Sequence, residues 1–128
     1  MAITKLDHVS LLAPQPGPVL DFYRDLLGFE LSRKREFPDA GMNIYDLKRG
    51  GDFVELIEPT APGAAAGGIK HLAFLSDDID ADFAAFRGQG AALVHAEVQR
   101  HGDCAFFFVK GPAGEFVEII QYGGGKKP

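Results

Sequence analysis

Leu6–Leu12 (LDHVSLL) falls on Ile69–Leu75 (IKHLAFL) when the chain is shifted by 63 residues, and the same shift lays Asp52–Ile57 (DFVELI) over Glu115–Ile120 (EFVEII). Between these ends, Phe22, Tyr23 and Arg24 fall on Ala85, Phe86 and Arg87, while Gly28 and Gly90 are one position out of register, so a small gap sits after the helix. A repeat of this length fixes the architecture before any single element is read. The 128 residues are two copies of one unit, each running in the same order.

In the first copy, residues 3–13 are rich in Ile, Leu and Val and stop at Pro14, which predicts a strand. Val19, Leu20, Phe22, Tyr23, Leu26 and Leu27 recur at helical spacing, with Pro18 near the first turn and Gly28 just past the end. Three strands are expected at about 29–36, 43–49 and 52–58. The second copy repeats this: strand 69–75, a helix capped by Asp77 or Asp78 whose apolar face includes Ile79, Phe83 and Phe86, then strands near 91–99, 104–110 and 115–122. The predicted organisation is a βαβββ module over 1–58, a linker over 59–68 (PTAPGAAAGG), a second module over 69–122 and a disordered tail over 123–128.

Composition narrows the function. Hydrophobic residues are 46% and charged residues 24%, the ordinary balance of a globular chain. Thirteen Lys and Arg against eighteen Asp and Glu leave a net charge of -5, which argues against nucleic acid as a partner. No apolar run approaches the roughly 18–20 residues that span a bilayer, and no basic region precedes an apolar core near residue 1. The expectation is a cytoplasmic protein with no membrane partner. Cys104, the single cysteine, has Ala105, Phe106, Phe107 and Phe108 beside it and reads as a small core side chain.

Alternate residues of a strand share a face, which puts four polar groups in mostly apolar company. His8 lies with Leu6, Ser10 and Leu12; Glu55 with Phe53 and Ile57; His71 with Ile69, Ala73 and Leu75; Glu118 with Phe116 and Ile120. A buried carboxylate needs a partner charge or a metal ion, and no cationic strand residue is set to match either glutamate. The interval from His8 to Glu55 equals that from His71 to Glu118, 47 residues in each. If the copies close about a pseudo-twofold axis, the four side chains converge. Two imidazoles and two carboxylates suit one divalent ion of Zn, Ni, Co, Mn or Fe. His95 and His101 lack repeat partners and read as exposed loop or strand-end residues; Glu58 falls on the opposite face from Glu55, as a solvated charge.

With LDHVSLL, DFYRDLLGF, DFVELIEP, GIKHLAF and FFFVKGPAGEFVEII in order, residues 4–122 resemble the vicinal oxygen chelate superfamily of glyoxalases, bleomycin-resistance proteins and extradiol dioxygenases. The resemblance implies an α+β fold in which paired βαβββ modules form an open, largely antiparallel, eight-stranded barrel-like sheet with two main helices, and it implies a homodimer. His8, Glu55, His71 and Glu118 fall on the four metal positions of bacterial glyoxalase I-like enzymes. Glu118, with Glu55 its near-symmetric counterpart, then moves a proton in a metal-dependent lyase or isomerase that acts on a small vicinal-oxygen substrate, such as the hemithioacetal of methylglyoxal, through a metal-stabilised enediolate. Where glutathione-dependent members carry an arginine and an asparagine, this chain has Leu12 and Pro59, which argues against glutathione as the thiol. An extradiol-type dioxygenase, a CoA-ester epimerase and a bleomycin-resistance-like binding protein are the alternatives. Phe53, Phe106 and Phe116 are candidates to shape a pocket.

Overall fold

Strand β1 (Ile3–Leu12) ends two residues before Pro14, and α1 (Pro16–Asp21) starts with Pro16 and Pro18 in its first turn, where a missing N–H leaves no helical bond unmade. The computed structural model describes residues 2–61, 68–110, 112, 115–125 and 127. These residues form two compact units, His8–Lys70 and Met1–Asp7 with His71–Pro128, so β1 belongs to one unit up to Asp7 and to the other from His8.

In the His8–Lys70 unit the strand order is β2-β3-β4-β1. A meander of β2 (Glu30–Phe37), β3 (Met42–Arg49) and β4 (Asp52–Pro59) is antiparallel, and its turns place Gly41 and Gly50 at φ 69° and 59°, where a side chain would be strained. β4 then runs parallel to β1, with Val9 opposite Val54 and Leu12 opposite Ile57. Ala13, Leu47 and Leu56 are buried, and Val19, Leu20, Tyr23 and Phe29 pack on them.

The helix departs from the sequence reading. After Asp21 it continues as a π-helical turn, Phe22–Leu26. Hydrogen bonds of the i→i+5 type add a residue to the turn and rotate the later side chains off the core face. Leu26 is accordingly 70% exposed, with Phe22 and Leu27 also exposed.

The other unit has the order β5-β8-β7-β6, from β5 (Gly68–Ser76), β6 (Gln99–His101), β7 (Cys104–Lys110) and β8 (Phe116–Tyr122). β5 and β8 are parallel; β8, β7 and β6 are antiparallel. Asp78 caps α2 (Ile79–Gly88) by accepting from the Ala81 N–H at 3.2 Å. Phe83 and Phe86 meet the fully buried Phe107 edge to face, with Ile79, Ala105 and Ile119 around them. The start of β1 is held here: the Ala2 N–H donates to Asp82 Oδ1 at 3.0 Å, and Thr4 Oγ1 to the Leu75 carbonyl at 3.3 Å.

Eight strands and two α-helices among the described residues make the α+β class, with β1–β4 and β5–β8 parallel and β2–β3, β3–β4, β6–β7 and β7–β8 antiparallel, and each copy runs βαβββ. The strand expected at 91–99 is not formed. That segment touches β7 through Val94 N–H to the Phe108 carbonyl and Lys110 N–H to the Ala92 carbonyl, then leaves it until Gln99. Small residues at Ala91, Ala92 and Ala96 offer little surface to pack on a sheet edge. The linker expected at 59–68 lies largely outside the described residues. The described part of the expected tail is tied down: Gly123 N–H bonds the Asp103 carbonyl at 2.7 Å, and Lys127 Nζ lies 3.6 Å from Asp7 Oδ2. No helix among the described residues is long and apolar enough to cross a membrane.

Candidate functional site

Strand alternation separates two faces in each unit. Leu11, Val54 and Leu56 point to the helix-covered core, which leaves His8, Ser10 and Glu55 on the other face. In the second unit Phe107, Val117 and Ile119 take the core side, leaving Phe108, Glu118 and Ile120 opposite. His8, Glu55, His71 and Glu118 are all buried.

Each unit brings its own histidine and glutamate together. His8 Nδ1 lies 3.3 Å from Glu55 Oε2, and His71 Nε2 lies 3.3 Å from Glu118 Oε1. The strand register is the same in both: Glu55 stands opposite Ser10, and Glu118 opposite Ala73, two residues beyond the histidine in each case. A parallel β1–β4 or β5–β8 pair with this offset therefore delivers one imidazole and one carboxylate to the same place on each face.

Two donors bonded to one ion at about 2.1 Å sit roughly 3.0–3.4 Å apart in cis octahedral or tetrahedral geometry. The separation within each buried pair falls in that window, and imidazole with carboxylate is a donor set for borderline divalent ions. The residues fit such an ion.

Beyond these pairs the units differ. The row through Glu55 crosses four strands as Arg33, Asp46, Glu55 and Ser10. Asp46, 1% exposed, takes Arg33 Nε on Oδ2 and Arg35 Nη2 on Oδ1, each at 2.6 Å. Arg35 Nη2 also lies 3.4 Å from Glu55 Oε1. The expectation that no strand cation matches Glu55 is thus corrected: Arg35 does, from the strand two away from β4. The row through Glu118 is Ala73, Glu118 and Phe108, and the Phe108 ring meets His71 edge to face at 5.2 Å.

The remaining sequence candidates lie around these groups. Phe106 is 6.0 Å from Phe108, Phe116 is partly exposed, and the Phe53 ring lies under Lys48. His95 is half-buried rather than exposed, 6.3 Å from Phe108, because its segment is bonded to β7 at Val94. His101 is exposed on β6. Glu58 is not simply solvated: it accepts from the Tyr45 hydroxyl at 2.9 Å and from Asn43 Nδ2 at 3.1 Å. Burial, and then the Glu58 carboxylate, push the Tyr45 phenol above its ordinary pKa of 10.0. Cys104 is half-buried beside Leu75, Ile120 and Tyr122.

Sequence reasoning missed Asp46, its two arginines and Asp7. Arg33 and Arg35 at i and i+2 were the available signal for the first group, since such a pair shares a strand face. Asp7 is buried with Tyr122 Oη donating to it at 2.9 Å, a partner 115 residues away.

Known proteins resemble this chain along most of its length. A family model described as the glyoxalase/bleomycin resistance protein/dioxygenase superfamily matches residues 5–119. An ethylmalonyl-CoA/methylmalonyl-CoA epimerase of Cereibacter sphaeroides is 26% identical over 93% of this chain and 98% of its own. A lactoylglutathione lyase of Neisseria meningitidis is 27% identical over 91% of this chain and 90% of its own. A solved methylmalonyl-CoA epimerase, in complex with methylmalonyl-CoA and NH4+, superposes with a TM-score of 0.84 at 25% identity, covering 98% of this chain and 99% of that one.

Proposed function

The chain belongs to the glyoxalase/bleomycin resistance protein/dioxygenase superfamily, and from that premise we propose that it is a metal-dependent enzyme that moves a proton at a carbon next to a carbonyl group, on an acyl-CoA thioester of the methylmalonyl type. The imidazole and carboxylate of each pair, His8 with Glu55 and His71 with Glu118, would serve as ligands to a divalent ion. The observation that carries this reading is the repeated histidine–glutamate pair, buried, at 3.3 Å and at one strand register in both units. Likeness to epimerases across nearly the whole chain supports it, and it takes precedence over the lyase that the resemblance to glyoxalase I-like enzymes implied. Leu12 and Pro59 weigh against a glutathione adduct, because neither side chain can bind a carboxylate.

When bound, the ion supplies positive charge next to the substrate oxygen on which negative charge develops. Glu118 carries the proton. The C–H bond breaks as an O–H forms on its carboxylate, and the electron pair passes toward the carbonyl oxygen; a proton from water on the opposite face re-forms the C–H bond as the electron pair returns, and Glu118 then gives its own proton back to water. Glu55 is the counterpart carboxylate, but Arg35 already engages one of its oxygens, which favours Glu118 as the mobile partner. Phe108, cross-strand from Glu118, excludes water from that side. A homodimer is part of the same proposal.

The test is exchange of the substrate α-proton. Purified protein loaded with Co(II) and incubated with methylmalonyl-CoA in deuterated water should incorporate deuterium at the α-carbon, and chelator should stop it. No exchange with any divalent ion refutes the epimerase reading. Formation of a lactoyl thioester from methylglyoxal and a thiol would put the lyase in its place, and oxygen uptake with catechols would put a dioxygenase there.

A further inference from the structure

His95 has no counterpart in the first copy of the repeat, yet the fold holds it half-buried. Leu93 and Val98, on either side of it, pack on the cluster around Phe107, and the Val94 N–H donates to the Phe108 carbonyl at 2.9 Å. These contacts fix the imidazole beside the Phe108 ring, 6.3 Å from centre to centre. Phe108, itself half-buried, stands cross-strand from Glu118 and meets His71 at 5.2 Å. One phenyl ring therefore separates His95 from the histidine–glutamate pair of its own unit. Among the described residues neither nitrogen of the His95 ring takes part in a hydrogen bond or an ion pair. An imidazole in its neutral form carries one N–H donor and one nitrogen acceptor, and its complement is a group with one acceptor and one donor close together, which a secondary amide supplies.

We propose that His95 is a specificity-determining residue that binds the first amide of the thioester arm, so that the enzyme takes thioesters of the N-acylcysteamine type, the type found in coenzyme A, in preference to thioesters without an amide. The proposal rests on the preceding reading, in which an acyl-CoA thioester gives its α-proton to Glu118. In such a substrate the amide nitrogen follows the α-carbon by way of the carbonyl carbon, the sulfur and two methylene carbons, a span of roughly 6–7 Å when extended. The distance from Phe108 to His95 is of that size. With the reacting carbon at Glu118, the arm lies across the Phe108 ring and the amide arrives at the imidazole. Nothing changes at the amide during proton transfer, so the contact is equally strong before and during the reaction and acts on KM rather than on kcat.

The experiment uses the whole chain, loaded with Co(II), as wild type, His95→Phe and His95→Gln. Two methylmalonyl thioesters are compared by α-proton exchange in deuterated water: one of N-acetylcysteamine, which carries the amide, and one of propanethiol, which does not. His95→Phe keeps a ring against Phe108 and removes both nitrogens. It should raise KM for the N-acetylcysteamine thioester about tenfold, the range of one to two hydrogen bonds, with kcat within about threefold and the propyl thioester unaffected. His95→Gln keeps a donor and an acceptor at similar reach and should recover KM to within about threefold of wild type; it is also the variant to compare if the phenylalanine protein does not fold, against His95→Ala. An unchanged KM for the N-acetylcysteamine thioester in His95→Phe overturns the proposal. So does an equal loss for the propyl thioester, which would make His95 packing for Phe108 alone. A wild-type chain that exchanges neither thioester nor methylmalonyl-CoA overturns the epimerase reading itself, and this proposal with it.

Discussion

Replacing Asp46 with asparagine keeps the shape of the side chain and removes its charge, at a position where almost no water reaches. Each carboxylate oxygen now accepts one guanidinium N–H at 2.6 Å. Asparagine can keep one of these bonds in neutral form, but its amide N–H groups face the other arginine donor to donor. Hydrogen bonds to charged groups are worth about 1.5–3 kcal/mol each, and the neighbouring guanidiniums, left without their shared anion, repel one another. Both arginines retain partial access to water, which offsets some of this, so the expected loss is about 3 kcal/mol. In a chain of this length that lowers Tm by about 10 °C. The assay is equilibrium urea unfolding followed by circular dichroism, with the midpoint shifted and the slope unchanged. A loss below about 1 kcal/mol would rank the two pairs with ordinary exposed ion pairs and refute the reasoning.

Glu118→Gln should lower turnover by about 10²- to 10⁴-fold while metal affinity changes far less, as measured by steady-state kinetics beside a Co(II) titration; unaltered turnover would remove Glu118 from the chemistry. Phe107→Ala, at a fully buried ring between Phe83 and Phe86, should cost about 3–5 kcal/mol in urea unfolding, whereas Leu26→Ala on the exposed π-helical turn should stay within about 0.5 kcal/mol. Burial and the Glu58 carboxylate hold the Tyr45 phenol protonated in the fold beyond its ordinary value, so the folded chain binds the proton that the unfolded chain has lost, and stability falls as pH rises above 10.0. Tyr45→Phe should flatten that alkaline decline in urea midpoints; a decline of the same steepness would show that another group sets it.

How far the fold could be read from residues alone depended on whether the governing contact was local. The β5–α2 passage was legible because alternation, an aspartate cap and a 3.6-residue apolar stripe all act within a few residues, and Asp78 and Phe83 take those parts. The common plan of the two copies followed from the repeat itself, whereas the parallel β1–β4 and β5–β8 pairings were not read from it. By contrast, Asp46 meets Arg33 only because β2 and β3 pair with a register shift between Leu31 and Arg33, and nothing in either strand announces that shift. Asp7 looks like a surface residue until Tyr122 and Lys127 arrive from the far end of the chain. The π-helical turn went unseen because its residues keep ordinary helical spacing in sequence while the backbone takes one extra residue per turn. Of the candidate site, residue type and interval disclosed the two histidine–glutamate couples, but the arginine beside Glu55 needed strand order as well.

The opening residues of β1 are anchored where the second copy of the repeat has its buried groups: the Ala2 amide on Asp82, Thr4 on Leu75, Asp7 under the Tyr122 hydroxyl. A cut anywhere in 59–68 would therefore not return two self-sufficient ancestors. The later fragment would lose the peptide that quenches Asp82, and the earlier one would keep a strand half of whose partners had departed. The residues up to Asp7 fold with the second copy although they open the first, so neither copy of the repeat is complete by itself.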